Sequence, residues 1–299
     1  MIRPVNFGFN EQTAGSNAFQ VKAEGEHIHR QALQEFNNMV AKLRSEGIDV
    51  TVIEDTPSPA TPDSIFPNNW ISFHGDGTVY LYPMQAENRR AERRREILRD
   101  LKNSFRIENI QDLSFFENDD KFLEGTGSMV LDRENKIAYA CLSPRTNTEV
   151  LSKFCEMEGY SACCFHAADS KGIAIYHTNV MMCIGEEFAV ICLESIEYQQ
   201  ERQQLINSLE NSRKEIVEIS FVQMAQFAGN MLNLKSTSGE SLLVMSERAF
   251  KSLTEQQVQQ LEKYTRLVYS PIETIENNGG GSARCMIAEI HLPKLAEQA

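Results

Sequence analysis

The sequence predicts an α/β fold made of five strand-strand-helix-strand repeats arranged about one axis. Three observations predict it. Short apolar runs pair across turn residues into hairpins along the whole chain. Each hairpin is followed by a helical stretch, and each helix by one further strand-like run. The period is roughly 50–60 residues, the spacing of repeated supersecondary units. No obvious linker interrupts the series, so residues 1–299 read as a single domain.

Taken in order, residues 3–9 read as a first strand ending at Asn10. The stretch from Glu26 to Gly47 is amphipathic and ends on glycine, as helices do, and Ile48 to Glu54 reads as a strand. Pro57, Pro59 and Pro62 then forbid regular structure. Ile65 to Phe73 and Thr78 to Pro83, joined by His74-Gly75-Asp76-Gly77, form a hairpin. Glu87 to Lys102 reads as one charged helix, whose alternating arginines and glutamates suit a solvated face. Phe122–Asp132 with Lys136–Leu142, Ile173–Cys183 with Phe188–Leu193, and Phe227–Lys235 with Ser241–Met245 repeat the hairpin. Helices follow at Asn147–Glu158, Ser195–Asn211 and Leu253–Lys263. The third strands are Arg106–Ile110, Ser161–Phe165, Glu215–Phe221 and Arg266–Tyr269. Arg284 to Leu292 is expected to close the last repeat by pairing with residues 3–9.

Composition narrows the function classes. A 299-residue chain with 41% hydrophobic residues can bury a large core. A net charge of −13 and a pI near 5.0 argue against a nucleic-acid or anionic-membrane surface. No run approaches a membrane span, and the N-terminus has no apolar leader segment, so a cytoplasmic location is expected. Seven cysteines without regular spacing suit a reducing compartment. No CxxC or HExxH pattern occurs, so a structural zinc or zincin site is not expected.

Superimposing the repeats at their inner strands brings one set of polar residues to matching places. These are Asn69 (after Phe66-Pro67-Asn68), Glu124, His177 with Asn179, Asn230, and Cys285. Each stands where an apolar run begins, so each is expected to be poorly solvated and to need a partner. The triple glycine 279–281 marks backbone that passes close to another group, just before Cys285. A thiol, an imidazole and a carboxylate converging on one axis can serve as nucleophile, proton carrier and orienting group. Taken singly, Cys285 and His177 read equally well as core residues and Glu124 as a turn anchor.

With these residues in view, the chain resembles the guanidino-group-modifying enzymes: arginine deiminases, dimethylarginine hydrolases, agmatine deiminases and amidinotransferases. The likeness runs along the whole chain and rests on ordered motifs: Glu124-Gly125-Thr126-Gly127, Ser143-Pro144-Arg145-Thr146, His177-Thr178-Asn179, and Gly279 to Cys285. It implies a five-bladed α/β propeller, the pentein fold, with Cys285 as nucleophile, His177 as general acid/base and Glu124 as third member. Arg145 is implied to hold the substrate carboxylate. Relatives that grip a guanidinium typically carry two aspartates where this chain has Asn69, after Phe66, and Asn179. Neutral amides suit a neutral ureido group, which needs both a donor and an acceptor. The expected activity is therefore hydrolysis of citrulline to ornithine, ammonia and carbon dioxide, a reaction for which no cofactor or metal is expected, and the chain looks most like bacterial citrulline-utilising hydrolases. Arg284, where deiminases often carry histidine, is a departure without a sequence explanation. Two other readings stay open: deiminase-type or amidinotransferase chemistry on a guanidino substrate, and a non-catalytic binding module on the same scaffold. The expected partner is a small amino-acid substrate, and self-association is left open.

Overall fold

The computed structural model describes residues 1–295 apart from 16, 18, 23 and 24, so the last four residues of the expected domain lie outside it. The chain begins with β1 (Ile2–Arg3), which pairs in parallel with β2 (Ile53–Glu54) across the helix Glu26–Ser45. Four three-stranded sheets follow. They are β3 (Ile71–Phe73), β4 (Thr78–Leu81) and β5 (Asn109–Asp112); β6 (Val130–Asp132), β7 (Ile137–Cys141) and β8 (Ser161–Phe165); β9 (Met182–Ile184), β10 (Phe188–Ile191) and β11 (Glu215–Glu218); and β12 (Leu232–Lys235), β13 (Ser241–Ser246) and β14 (Arg266–Ser270). In every one the first two strands are antiparallel and the last two parallel. A parallel neighbour needs a crossover connection, and each sheet uses its helical segment for that purpose.

Local sequence explains these elements. Asn147 caps the helix Thr148–Glu158 by accepting from the Glu149 and Val150 amides, and Gly159 ends it in the left-handed region at φ 70°. Thr254 and Gln257 form a capping box at the helix Glu255–Glu262. The middle strands β4 and β10 are buried along their whole length, as expected for strands covered on both faces. First strands of successive sheets lie side by side, β6 against β9 and β9 against β12. The fully buried Lys214–Asp132 ion pair, at 3.3 Å, ties the second sheet to the third.

Several expected boundaries shift, and the shifts share a cause. The residues before each inner strand are not strand but tight helical turns: Pro67–Asn69, Gly125–Ser128 and Thr178–Val180. The closing strand at 284–292 does not form. Residues 283–286 make turns, with the Cys285 amide bonding the Ser282 carbonyl, and no ladder joins them to residues 3–9. Of the first strand expected over residues 3–9 only Arg3 is regular, within Ile2–Arg3, and Pro4 directly after it cannot donate to a ladder. The C-terminal end bonds elsewhere, through Arg106 N–H to Pro293 O and Leu295 N–H to Ser104 O. The helix expected at 87–102 is broken into Glu87–Arg90 and Arg95–Leu101. Its arginines do not share one solvated face: Arg93 turns to Glu117 and Arg89 turns inward. A helix at Glu273–Gly279, absent from the sequence reading, ends at Gly280 in the left-handed conformation.

Among the described residues, no helix is long and apolar enough to cross a membrane.

Phe154 is fully buried among Tyr80, Tyr82, Tyr160 and His74. Phe154→Ala is expected to lower unfolding free energy by about 3–5 kcal/mol in urea titrations. Val222, which is exposed, is expected to tolerate alanine within about 0.5 kcal/mol. Equal effects at the two positions would refute this placement of the core.

Candidate active site

Every residue singled out from the sequence is buried, and the short turns before the inner strands deliver most of them to one place. Asn69 ends the turn Pro67–Asn69, Glu124 precedes the turn Gly125–Ser128, and His177 and Asn179 bracket the first residue of Thr178–Val180. Turns, unlike strands, let consecutive side chains and amides point the same way, which is why the apolar runs begin one turn later than expected.

Glycines let these turns approach one another. Gly125 has φ 47°, and a Cβ there would lie 2.4 Å from the Asn68 carbonyl oxygen. A Cβ on Gly127 would strike both Asn69 Nδ2 and His177 Nδ1, at 2.4 and 2.8 Å. The absence of a side chain at Gly127 thus lets Asn69 Nδ2 and His177 Nδ1 pack against its backbone side by side. Gly279 and Gly281 similarly pass against the Phe66 ring.

The catalytic candidates form two linked groups. His177 Nε2 lies 2.8 Å from Glu124 Oε2, while Glu124 Oε1 accepts the Gln85 amide at 3.0 Å. Arg145 reaches Glu124 Oε2 at 3.4 Å and the Thr13 carbonyl at 3.3 Å, with its guanidinium over the Tyr176 ring. Burial alone would raise the Glu124 pKa, but the Arg145 charge, the His177 hydrogen bond and the Arg89 charge outweigh it and hold the carboxyl well below its usual range. Burial dominates at His177 and lowers it to about 4 against the pull of Glu124. At neutral pH, then, Glu124 is a carboxylate and His177 a neutral imidazole. A carboxylate accepts only, so Nε2 carries the proton and Nδ1 keeps the lone pair.

The second group surrounds the thiol. Asn179 Nδ2 and Asn230 Nδ2 point at Cys285 Sγ from 3.4 and 3.3 Å. The orientation of Asn230 is fixed by the backbone: its Oδ1 accepts the Arg284 amide at 3.1 Å, and its Nδ2 donates to the Asn179 carbonyl at 2.8 Å. Two amide donors on one sulfur stabilise negative charge there. The Arg284 side chain turns away, to the Ile287 carbonyl at 2.9 Å and Glu289 at 3.2 Å.

Sequence reasoning missed a third cluster. Arg89 is buried, forks both Glu92 oxygens at 2.9 Å, and donates to Asn69 Oδ1 at 2.8 Å. Burial pushes Glu92 up to about 7 despite Arg89. Asp63 lies 3.8 Å from Arg89 and accepts from Asn10 and Thr13 through one oxygen, leaving Oδ1 buried without a hydrogen-bond partner among the described residues. The Arg89–Glu92 spacing of three was the available signal, hidden among the other charges of 87–102. The segment around Thr13, Asn17 and Gln20 was also missed. It covers the glycine turn through Asn17 to Gly280 O and Gln20 to Gly279 O, both at 3.2 Å.

Among the described residues, no group of three histidine, cysteine or acidic side chains is arranged to hold a metal.

The family described as N,N dimethylarginine dimethylhydrolase, eukaryotic, matches residues 3–292. No curated protein matches the chain significantly by sequence. Among solved structures, the N-terminal domain of ArgZ, an arginine dihydrolase from the ornithine–ammonia cycle in cyanobacteria, is similar with TM-score 0.74 at 15% identity over 98% of both chains. Unliganded AgrE gives TM-score 0.73 at 17% identity, over 99% of this chain and 39% of its own. A dimethylarginine dimethylaminohydrolase adduct with 4-chloro-2-hydroxymethylpyridine gives 0.63 at 15% identity, over 98% and 97%. At such identities these three show a shared fold, the mixed α/β pentein fold of guanidino-group enzymes. The family match takes in Asn69, Glu124, His177, Asn230 and Cys285 along its length, and by it the chain belongs to the N,N dimethylarginine dimethylhydrolase family within the guanidino-group-modifying superfamily.

Proposed function

We propose that the chain is one catalytic domain, a five-bladed α/β propeller whose fifth blade is reduced to β1 and β2, and that it hydrolyses citrulline through a cysteine nucleophile. The observation that carries the substrate reading is the pair of open amide atoms at the site. Asn69 Nδ2 is a buried donor and Asn179 Oδ1 a buried acceptor, and neither has a hydrogen-bond partner among the described residues. Buried polar groups left unpaired are costly, so the ligand is the natural source of their partners. A ureido group offers a carbonyl for the first and an N–H for the second. Two aspartates at these positions would instead favour a cation. At the other end, Arg145 suits a carboxylate, and the open Asp63 Oδ1 suits an ammonium.

The reaction then runs in two halves. Cys285 transfers its proton to His177 Nδ1 as sulfur attacks the ureido carbon. Asn69 Nδ2 donates to the carbonyl oxygen as charge builds on it. The carbon–nitrogen bond to the ornithine side chain breaks, and its nitrogen takes the proton from His177. Water, deprotonated by His177, hydrolyses the S-carbamoyl thioester; the thiol is restored and carbamate leaves to become ammonia and carbon dioxide. Glu124 orients the imidazole and stabilises its cationic form throughout. Phe66, packed on the glycine turn beside Cys285, forms an apolar wall. The second reading, arginine as substrate, is favoured by the arginine dihydrolase activity of ArgZ, a structural neighbour.

Incubation of the purified protein with citrulline and, separately, arginine is expected to yield ornithine from citrulline and no citrulline from arginine. Accumulation of citrulline from arginine would overturn the substrate assignment. Asn230→Ala is expected to lower kcat/KM for citrulline by about 100-fold and to slow alkylation of Cys285 by iodoacetamide; unchanged alkylation would remove Asn230 from the nucleophile's environment. The reaction requires neutral His177, whose pKa is lowered from 6.5 to about 4. The acid limb of kcat/KM is therefore expected near pH 4, with activity lost as pH falls through it. A limb at pH 6–7 would count against His177 as proton acceptor.

A further inference from the structure

Asparagine is an ambiguous residue in a binding site, because its amide can present either a donor or an acceptor to the ligand. At Asn69 that ambiguity is removed by a neighbour. Arg89 has donors only, and its Nη1 stands 2.8 Å from Asn69 Oδ1, so this oxygen is used by the protein and Nδ2 must face the opposite way. Nδ2 packs against Gly127 beside His177 Nδ1 and is buried with no hydrogen-bond partner among the described residues. Arg89 in turn is held in one orientation. Glu92 accepts from its Nε and Nη2 at 2.9 Å, and the Phe66 carbonyl accepts from Nη2 at 3.2 Å.

We infer that Arg89 is a specificity-determining positioning residue, which by clamping Asn69 Oδ1 admits a substrate carbonyl oxygen at Asn69 and rejects a guanidinium. This rests on the citrulline reading and names the device that enforces it. A guanidinium carries hydrogens on every nitrogen and would set N–H against N–H at Asn69. A ureido oxygen accepts there. Without the clamp the amide can rotate by a half turn and offer Oδ1 to a guanidinium N–H. A fork of this kind around a buried carboxylate is rigid, so the discrimination is built into the resting protein and does not await the ligand.

The test compares wild type, Arg89→Lys, and the double variant Arg89→Gln with Glu92→Gln, which avoids stranding the Glu92 carboxylate. Citrulline and arginine turnover and ornithine binding are measured for each. Ornithine has the amino-acid end but no ureido carbonyl, so its affinity reports folding and carboxylate recognition alone. The expected result for the double variant is a loss of about 100-fold in kcat/KM for citrulline and a fall of at least about 10-fold in the citrulline-to-arginine ratio. Ornithine affinity is expected to stay within about threefold. Arg89→Lys, still a donor-only cation, is expected to keep the wild-type ratio. A parallel loss of ornithine binding would overturn the inference by making Arg89 a structural or carboxylate-binding residue, and so would an unchanged ratio. Wild type inactive on citrulline would overturn the substrate reading and the inference together, and that outcome is visible before any variant is made.

Discussion

A fully buried carboxylate, Glu124, sets the terms for the rest of this structure. An unpaired carboxylate in a protein interior costs several kcal/mol, so its place must be surrounded by compensating groups before the chain can close over it. Arg145, His177 and the Gln85 amide supply that compensation, and each comes from a different repeat or connection. The same charge that makes Glu124 costly keeps the His177 proton on Nε2. The nitrogen left with its lone pair is therefore Nδ1, on the side of Gly127 and Asn69, where the proposed mechanism uses it.

A second buried charge cluster repeats the logic beside it. Arg89, Glu92 and Asp63 compensate one another, and the surplus hydrogen bond of Arg89 is directed at Asn69. Around the thiol the compensation is neutral, with Asn179 and Asn230 as donors and the Arg284 amide holding the second of these in place. The departure at Arg284, opaque in the sequence, has a structural use at its backbone: its N–H orients Asn230. The three groups approach closely because glycines 125, 127, 279 and 281 carry no side chain where neighbouring turns cross.

Much of this was legible before any coordinates. Hairpin, helix and strand recurred with enough regularity to foretell four complete repeats, and β8 and the helix Thr148–Glu158 fell almost where the pattern put them. Local signals were strong there, with Asn147 and Gly159 marking both ends. The fifth repeat misled because Arg284 to Leu292 has the hydrophobicity of a strand while its backbone must turn to present Cys285. The stretch 87–102 misled for the converse reason. Its charge pattern matches a solvated helix, and no local rule announces that Arg89 alone points inward to a partner twenty residues earlier.

The sequence by itself determined the kind of molecule: the repeat, and the recurrence of Glu124, His177, Asn179 and Cys285 at the heads of apolar runs. These are properties of composition and periodicity, and they survive without knowledge of any contact. Only the tertiary structure decided which atom of each side chain is available. Whether Asn69 presents nitrogen or oxygen, and which nitrogen of His177 keeps its lone pair, depends on Arg89 and Glu124 lying within hydrogen-bond distance. Such distances are set by how the repeats pack, because hydrogen bonds and buried charges act across space and leave no period in the chain.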